Sequence, residues 1–161
     1  LSHDFISLEK EIESIEDYLK IEYLRFGDKF EYEVIVDKEI DHIHLKVSPG
    51  MIQPFVENAI WHGVRGLETR KGRIEVWFGM KYGRLTCVVK DDGIGRKRAE
   101  MLKMGNDQRK SKGISIVLER LKILNGLQGT HYQIVLADTY PGKNDTGTRV
   151  EIDIPVIKEW S

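Results

Sequence analysis

The sequence predicts an α+β fold: a two-layer sandwich in which a mixed, mostly antiparallel sheet is covered on one face by about three helices. Three observations predict it. Long segments near each end of the chain carry apolar side chains at helical spacing. Five or more shorter segments alternate apolar and polar residues or bunch β-formers, as strands do. Consecutive strands meet in short glycine-bearing turns, which is how hairpins are joined, so the helices are left to cover one sheet face. Single strands do not alternate with single helices, and nothing points to a doubly wound parallel sheet. A length of 161 residues suits one domain with a sizeable core.

The elements follow in order. Leu8, Ile12, Ile15, Leu19, Tyr23 and Phe26 recur in steps of three and four, an amphipathic helix over residues 8–26 with Ser7 to cap it and Gly27 to end it. Its stripe is too short for a coiled coil, and the expectation is that it packs on its own domain. "FEYEVIV" (30–36) reads as a strand and "HIHLKVS" as a short edge strand. Pro49 is placed to open a helix containing "PFVENAIWHG" (54–63), with Pro54 a turn further on as a possible bend. "RIEVWFGM" and "RLTCVVK" flank "KYG" as a hairpin in which Gly83 takes positive φ. A second amphipathic helix spans 113–125, with Ile114, Val117, Leu118, Leu121 and Leu124 on its apolar face; "YQIVLAD" and "TRVEIDIPV" are the last strands.

Composition bounds the function. Hydrophobic residues are 40% and charged residues 32%, ordinary for a soluble domain, and a net charge of −1 implies no bulk attraction to nucleic acid or membrane. The charge is uneven, however: residues 1–41 hold 13 acids and 5 bases, and residues 96–112 hold 7 bases and 2 acids. The basic segment suits a small anionic ligand. Cys87, the only cysteine, alternates with Leu85 and Val89 and reads as a core thiol. No apolar run reaches the ~20 residues of a membrane span. The chain begins at Leu1 rather than Met, as a piece of a longer protein would.

Four features carry possible chemistry. Asn58 stands inside a helix, where its amide competes for backbone groups and is a poor choice unless wanted for something else. Glu57 precedes it, and His62 lies four residues on, hence on the same face. "DDGIGR" (91–96) follows directly on a strand: Asp91 is an acceptor at the strand end, and Gly93 and Gly95 let the backbone turn sharply. Gly113 opens the second helix after the basic segment, where unpaired amides and the helix dipole favour an anion. Gly147 and Thr148 precede the last strand. Each glycine site taken singly is more often only a turn.

In the order "PFVENAIWHG", "DDGIGR", "SKGISIVLERL" and "GTRVEIDIP", these segments resemble the N box and three glycine boxes of the Bergerat-fold nucleotide-binding family, which includes gyrase, chaperone ATPases, mismatch-repair ATPases and histidine kinases. Within it, "QPFVENAIWHG" and the helix before it are similar to LytS-type sensor histidine kinases, from about Leu8 to Pro155. The resemblance implies a catalytic domain that binds ATP with Mg²⁺. Asn58 would coordinate the metal through its amide oxygen, with His62 near the phosphates and Glu57 in a metal-shell or structural role. Asp91 would accept a hydrogen bond from the adenine amino group. Gly93 and Gly95 would give close approach, and Gly113 would offer amides to the phosphates. Lys110, Ser111 and Lys112 would belong to a flexible lid over residues 96–112, and Gly147 and Thr148 to the last box. The resemblance further implies that residues 1–27 link to an upstream phospho-acceptor domain and 28–161 form the catalytic domain. The whole protein would be a membrane-bound homodimer of the inner membrane, its catalytic part cytoplasmic, with a response regulator as partner and no nucleic acid.

Two departures qualify the match. The usual glycine pair of the second glycine box is Ser111-Lys112-Gly113 here, and the asparagine often found three residues later is Ile116. One absence informs the chemistry. Hydrolytic members place a glutamate four residues before the N-box asparagine as water-activating base; here that residue is Pro54, which can abstract no proton. Transfer to another acceptor is therefore expected. None of His3, His42, His44, His62 and His131 stands in a "PHF"-like context, so the acceptor histidine is expected upstream. The alternative is a nucleotide-responsive binding module without phosphotransfer.

Overall fold

The computed structural model describes residues 5–97 and 109–158, with side chains described except at 109–112 and 158. Helix α1 (Leu8–Phe26) begins where the Ser7 hydroxyl accepts from the Lys10 amide at 3.2 Å and ends at Gly27, whose φ of 51° lets its N–H reach the Tyr23 carbonyl. Of its stripe, Leu8, Ile12, Ile15 and Leu19 are buried in the domain's own core, with Tyr23 and Phe26 partly buried against it. Packing on its own domain, as expected, leaves Leu19 with no exposed surface. Leu19→Ala should therefore cost about 2–5 kcal/mol through lost burial and a cavity, with no change of oligomeric state; denaturant unfolding and light scattering measure the two.

The main sheet contains β2 (Phe30–Val36), β4 (Gly72–Lys81), β5 (Arg84–Asp91), β6 (Ile134–Ala137) and β7 (Thr148–Asp153) in the order β2-β4-β5-β7-β6. Only β2 and β4 pair in parallel; the other neighbours are antiparallel. The β4–β5 hairpin turns on Tyr82 and Gly83, both at positive φ. Ile74, Val76 and Phe78 of β4, Leu85, Cys87 and Val89 of β5, and Val150 and Ile152 of β7 share the covered face, as the period of two requires. On the other face Arg73 pairs with Glu33 and Glu75, Lys90 with Glu75, and Lys81 and Arg149 with Glu151. Cys87 is fully buried in the core, and burial pushes its thiol pKa up, so it is a poor nucleophile.

Several boundaries differ from expectation. A second sheet, β1-β3-β8, joins β1 (Ile6–Ser7), β3 (Leu45–Val47) and β8 (Val156–Lys158). The last strand divides because Pro155 has no N–H to continue a ladder. Pro49 does not open the middle helix: α2 is Gln53–Asn58, with Pro54 in its first turn. Helix α3 runs Arg109–Gln128, longer at both ends than expected. Asn125 does not end it but holds the following loop, its Oδ1 accepting from the Thr130 hydroxyl and the Tyr132 amide. Val117 and Leu121 of α3 are buried, whereas Leu118 is 49% exposed and leaves the apolar face. No helix among the described residues is long and apolar enough to cross a membrane.

Candidate nucleotide site

The helix containing Asn58 changes its winding there. After α2 the backbone makes a π-turn, Ala59–Gly63, in which the Val64 amide reaches back to the Ala59 carbonyl, and then a 3₁₀ turn, Val64–Gly66. Asn58 is the last α-helical residue, so the poor helix former stands at a junction rather than mid-helix. A single π-turn of this kind is often found at functional sites because it re-aims side chains.

Asn58, Ala59, His62 and Gly63 of this segment line one side of a cavity of about 170 Å³. Phe55, Val89, Ile114, Leu136 and Val150 supply apolar walls, and Asp91, Gly95, Arg96 and Thr148 the polar positions. An apolar slot with a few placed polar groups suits a flat heteroaromatic ring.

Asp91, the last residue of β5, is 3% exposed. Its carboxylate accepts from the Gly93 amide at 2.8 Å and from the Thr148 backbone amide. Burial nonetheless dominates and pushes its pKa up to about 7. Its own carbonyl accepts from the Thr139 hydroxyl at 2.7 Å. Asp92 points away: it accepts from the Arg73 amide at 2.7 Å and from Arg70 at 3.0 Å.

The glycines act mainly between protein segments. A Cβ on Gly93 would run into the Gly63 backbone, whose carbonyl accepts from the Ile94 amide. Gly95 and Gly147 both have positive φ, and side chains there would meet Thr146 and the Asp91 carbonyl. The Gly147 amide donates to the Gly93 carbonyl at 3.0 Å. Gly93 and Gly147 thus close the loops on each other around Asp91, while Gly95 and Thr148 also face the cavity. The close approach inferred for Gly93 is therefore to backbone.

Two expected positions lie apart. Glu57 does not line the cavity; it accepts from the Gln53 side chain at 3.2 Å. Gly113 does not open its helix. It is the fifth residue of α3, beyond the four amides a helix leaves unpaired at its start, and a Cβ there would lie 3.4 Å from Pro54 Cβ. The side chains of Lys110, Ser111 and Lys112 and the central part of the expected lid, 98–108, lie outside the described residues.

Residues that the sequence does not single out are Gly63, Thr139 and Leu136; Arg96, the first of the basic segment, lines the cavity and pairs with Asp138 at 3.3 Å. Gly63 is the most instructive, because a Cβ there would lie 2.6 Å from Asp91 Oδ1 and 2.8 Å from its carboxyl carbon. Gly63→Ala should displace the carboxylate from its two amides and destabilise the fold by about 1–3 kcal/mol. Denaturant unfolding and adenosine binding, both weakened, check this.

No family model matches the chain. Among curated relatives, the sensor protein LytS of Staphylococcus haemolyticus is 33% identical over 159 residues, covering 96% of this chain and 26% of that protein. The sensor histidine kinase YpdA of Escherichia coli is 30% identical over 152 residues, covering 93% and 24%. The chain thus spans about a quarter of the length of these relatives. The mycobacterial sensor histidine kinase MprB has a similar fold, with a TM-score of 0.63 at 16% identity, covering 96% of this chain and 98% of that chain. The catalytic domain of histidine kinase ThkA gives 0.57 at 16% identity, covering 96% and 97%.

Proposed function

Since this chain belongs with the LytS-type sensor histidine kinases, we propose that it is their ATP-binding catalytic domain and transfers the γ-phosphoryl of ATP to a histidine on an upstream domain of the same protein. The observation that carries the reading is the buried Asp91 in an apolar slot that Asn58 and His62 also line. A carboxylate there accepts the adenine amino group's hydrogen bond; guanine would present a carbonyl to it instead.

Asn58 offers a hard amide oxygen at the cavity, which suits Mg²⁺. No group of three or more His, Cys, Asp or Glu among the described residues could hold a metal by itself, so phosphate and water oxygens would complete the shell. Bound there, the metal would neutralise charge on the phosphates. Each residue then has a task. Asp91 and the apolar walls fix the base, Asn58 and His62 address the phosphate end, and Arg96 adds positive charge to the cavity. The attacking atom is an imidazole nitrogen of the acceptor domain, which bonds to the γ-phosphorus as the bond to the ADP oxygen breaks. Pro54, without a proton acceptor, leaves water unactivated and packs beside Gly113 instead.

We further take residues 1–27 as the link to the acceptor domain, its helix α1 docked into the core of the catalytic unit 28–161, the whole protein being a membrane-bound homodimeric sensor of the inner membrane with this part in the cytoplasm and a response regulator downstream. Incubating the chain with γ-labelled ATP, Mg²⁺ and the acceptor segment tests the reading: label should appear on histidine, acid-labile and base-stable. Binding of ATP without any transfer would make the chain a nucleotide-responsive module instead.

A further inference from the structure

Trp61 lies between Asn58 and His62 in the chain but does not line the cavity. The winding of the π-turn sends its indole the other way, toward the C-terminal half of α1. Phe26 meets it edge-on, ring centres 5.2 Å apart at 80°. Arg65 lies over the indole at 4.6 Å and Arg25 at 5.5 Å. The indole N–H donates to the Tyr18 hydroxyl. Arg25 is itself held by the buried Glu22 carboxylate at 3.6 Å. Three of these partners, Tyr18, Arg25 and Phe26, come from α1.

The indole is therefore fixed by a hydrogen bond, an aromatic edge and two cations, each of which prefers a particular geometry. A π-turn is a local departure from α-helical winding and persists only where its surroundings hold it. Turning Trp61 out of its seat shifts the π-turn, which follows directly on Asn58 and contains His62. Asp91 stands on β5 and is held by the Gly93 and Thr148 amides; of the π-turn, only Gly63 at its far end packs against it.

We propose that Trp61 is a positioning residue, locking the π-turn onto the end of α1 so that Asn58 and His62 are aimed at the metal and phosphate end of the site. The proposal rests on the kinase reading above. It separates two halves of the site: metal-dependent phosphate recognition, which depends on Trp61, and base recognition through Asp91, which depends on it far less.

The test is calorimetric titration of the 161-residue chain and its Trp61→Ala, Trp61→Phe and Arg65→Gln variants with adenosine, with ATP plus chelator and with ATP plus Mg²⁺. Trp61→Ala should keep adenosine affinity within about twofold while losing about tenfold or more of the gain in ATP affinity that Mg²⁺ gives the parent. Trp61→Phe, which keeps an aromatic ring against Phe26, should restore most of it. Arg65→Gln, a change to an exposed side chain that spares the fold should Trp61→Ala unfold it, should lose about threefold. A full Mg²⁺-dependent gain in Trp61→Ala or in Arg65→Gln overturns the inference and leaves the kinase reading standing. Equal loss of adenosine and ATP binding in folded Trp61→Ala also overturns it, since support for the whole domain would suffice. A parent chain that binds no ATP overturns the kinase reading and this inference together.

Discussion

Asn58→Ala should reduce phosphoryl transfer to a supplied acceptor segment by at least about two orders of magnitude while leaving adenosine binding nearly unchanged. Phosphoryl transfer leaves little covalent chemistry to the protein; positioning and charge stabilisation around the γ-phosphate supply nearly all of it. Among the described residues Asn58 is the only asparagine amide lining the cavity, and it stands at the end of α2 where the winding changes. Truncation removes the amide oxygen without disturbing Asp91, which belongs to β5. The side chain is partly exposed, so Ala at this position, a good helix former, should not lower stability. Quantifying labelled phosphohistidine against time for parent and variant gives the ratio. Transfer within threefold of the parent would mean that Asn58 holds no metal.

Asp91→Asn should weaken ATP binding by about 10- to 100-fold, the range expected from losing a charge-assisted hydrogen bond of about 1.5–3 kcal/mol. It should also stabilise the unliganded fold above neutrality. The folded carboxyl has its pKa pushed up to about 7 by burial, against about 3.9 in an unfolded chain. Between those values the folded state keeps a proton that the unfolded state has lost. Stability therefore falls as pH rises through this window, by a total on the order of 4 kcal/mol. An amide removes that slope, so parent and variant should have similar stability at pH 4 and diverge by pH 8, the variant being the more stable. Nucleotide affinity runs the opposite way. The adenine amine needs the ionised carboxylate, so the parent's affinity should rise about tenfold from pH 6 to pH 8, with proton uptake or release visible when buffers of different ionisation enthalpy are compared. The site residue is thus retained at a cost to the fold, a pattern expected where a buried charge serves a ligand.

Much of this arrangement was legible in the sequence, for reasons that differ by residue. The ends of α1 were marked by Ser7 and Gly27, because capping is a local interaction between near neighbours in the chain. Asn58 stands out as a poor helix former inside a helix and Asp91 as an acceptor at a strand end before two glycines, and they do line one cavity. Gly63 carries no signal in the sequence, since its reason is a contact with Asp91 across the fold. Gly113 heads the apolar pattern, which places a helix start there, yet Arg109–Gln128 is helical throughout; Arg, Lys and Ser carry little helix penalty, so the helix extends through them. The strands β1 and β8 have two and three residues and owe their existence to pairing with β3, which no local pattern announces. Leu118 lies about 100° around the helix from Val117, and only the packed structure decides which of two adjacent apolar residues turns inward.

The central claim is that the slot lined by Asn58 and Asp91 recognises adenine. Titration of the chain with ATP and, separately, with GTP, both with Mg²⁺ at pH 8, tests it most directly. Binding of ATP at least tenfold tighter than GTP, with that preference lost in Asp91→Asn, is the predicted result. Equal affinity for the two nucleotides, or no binding of ATP, would contradict it.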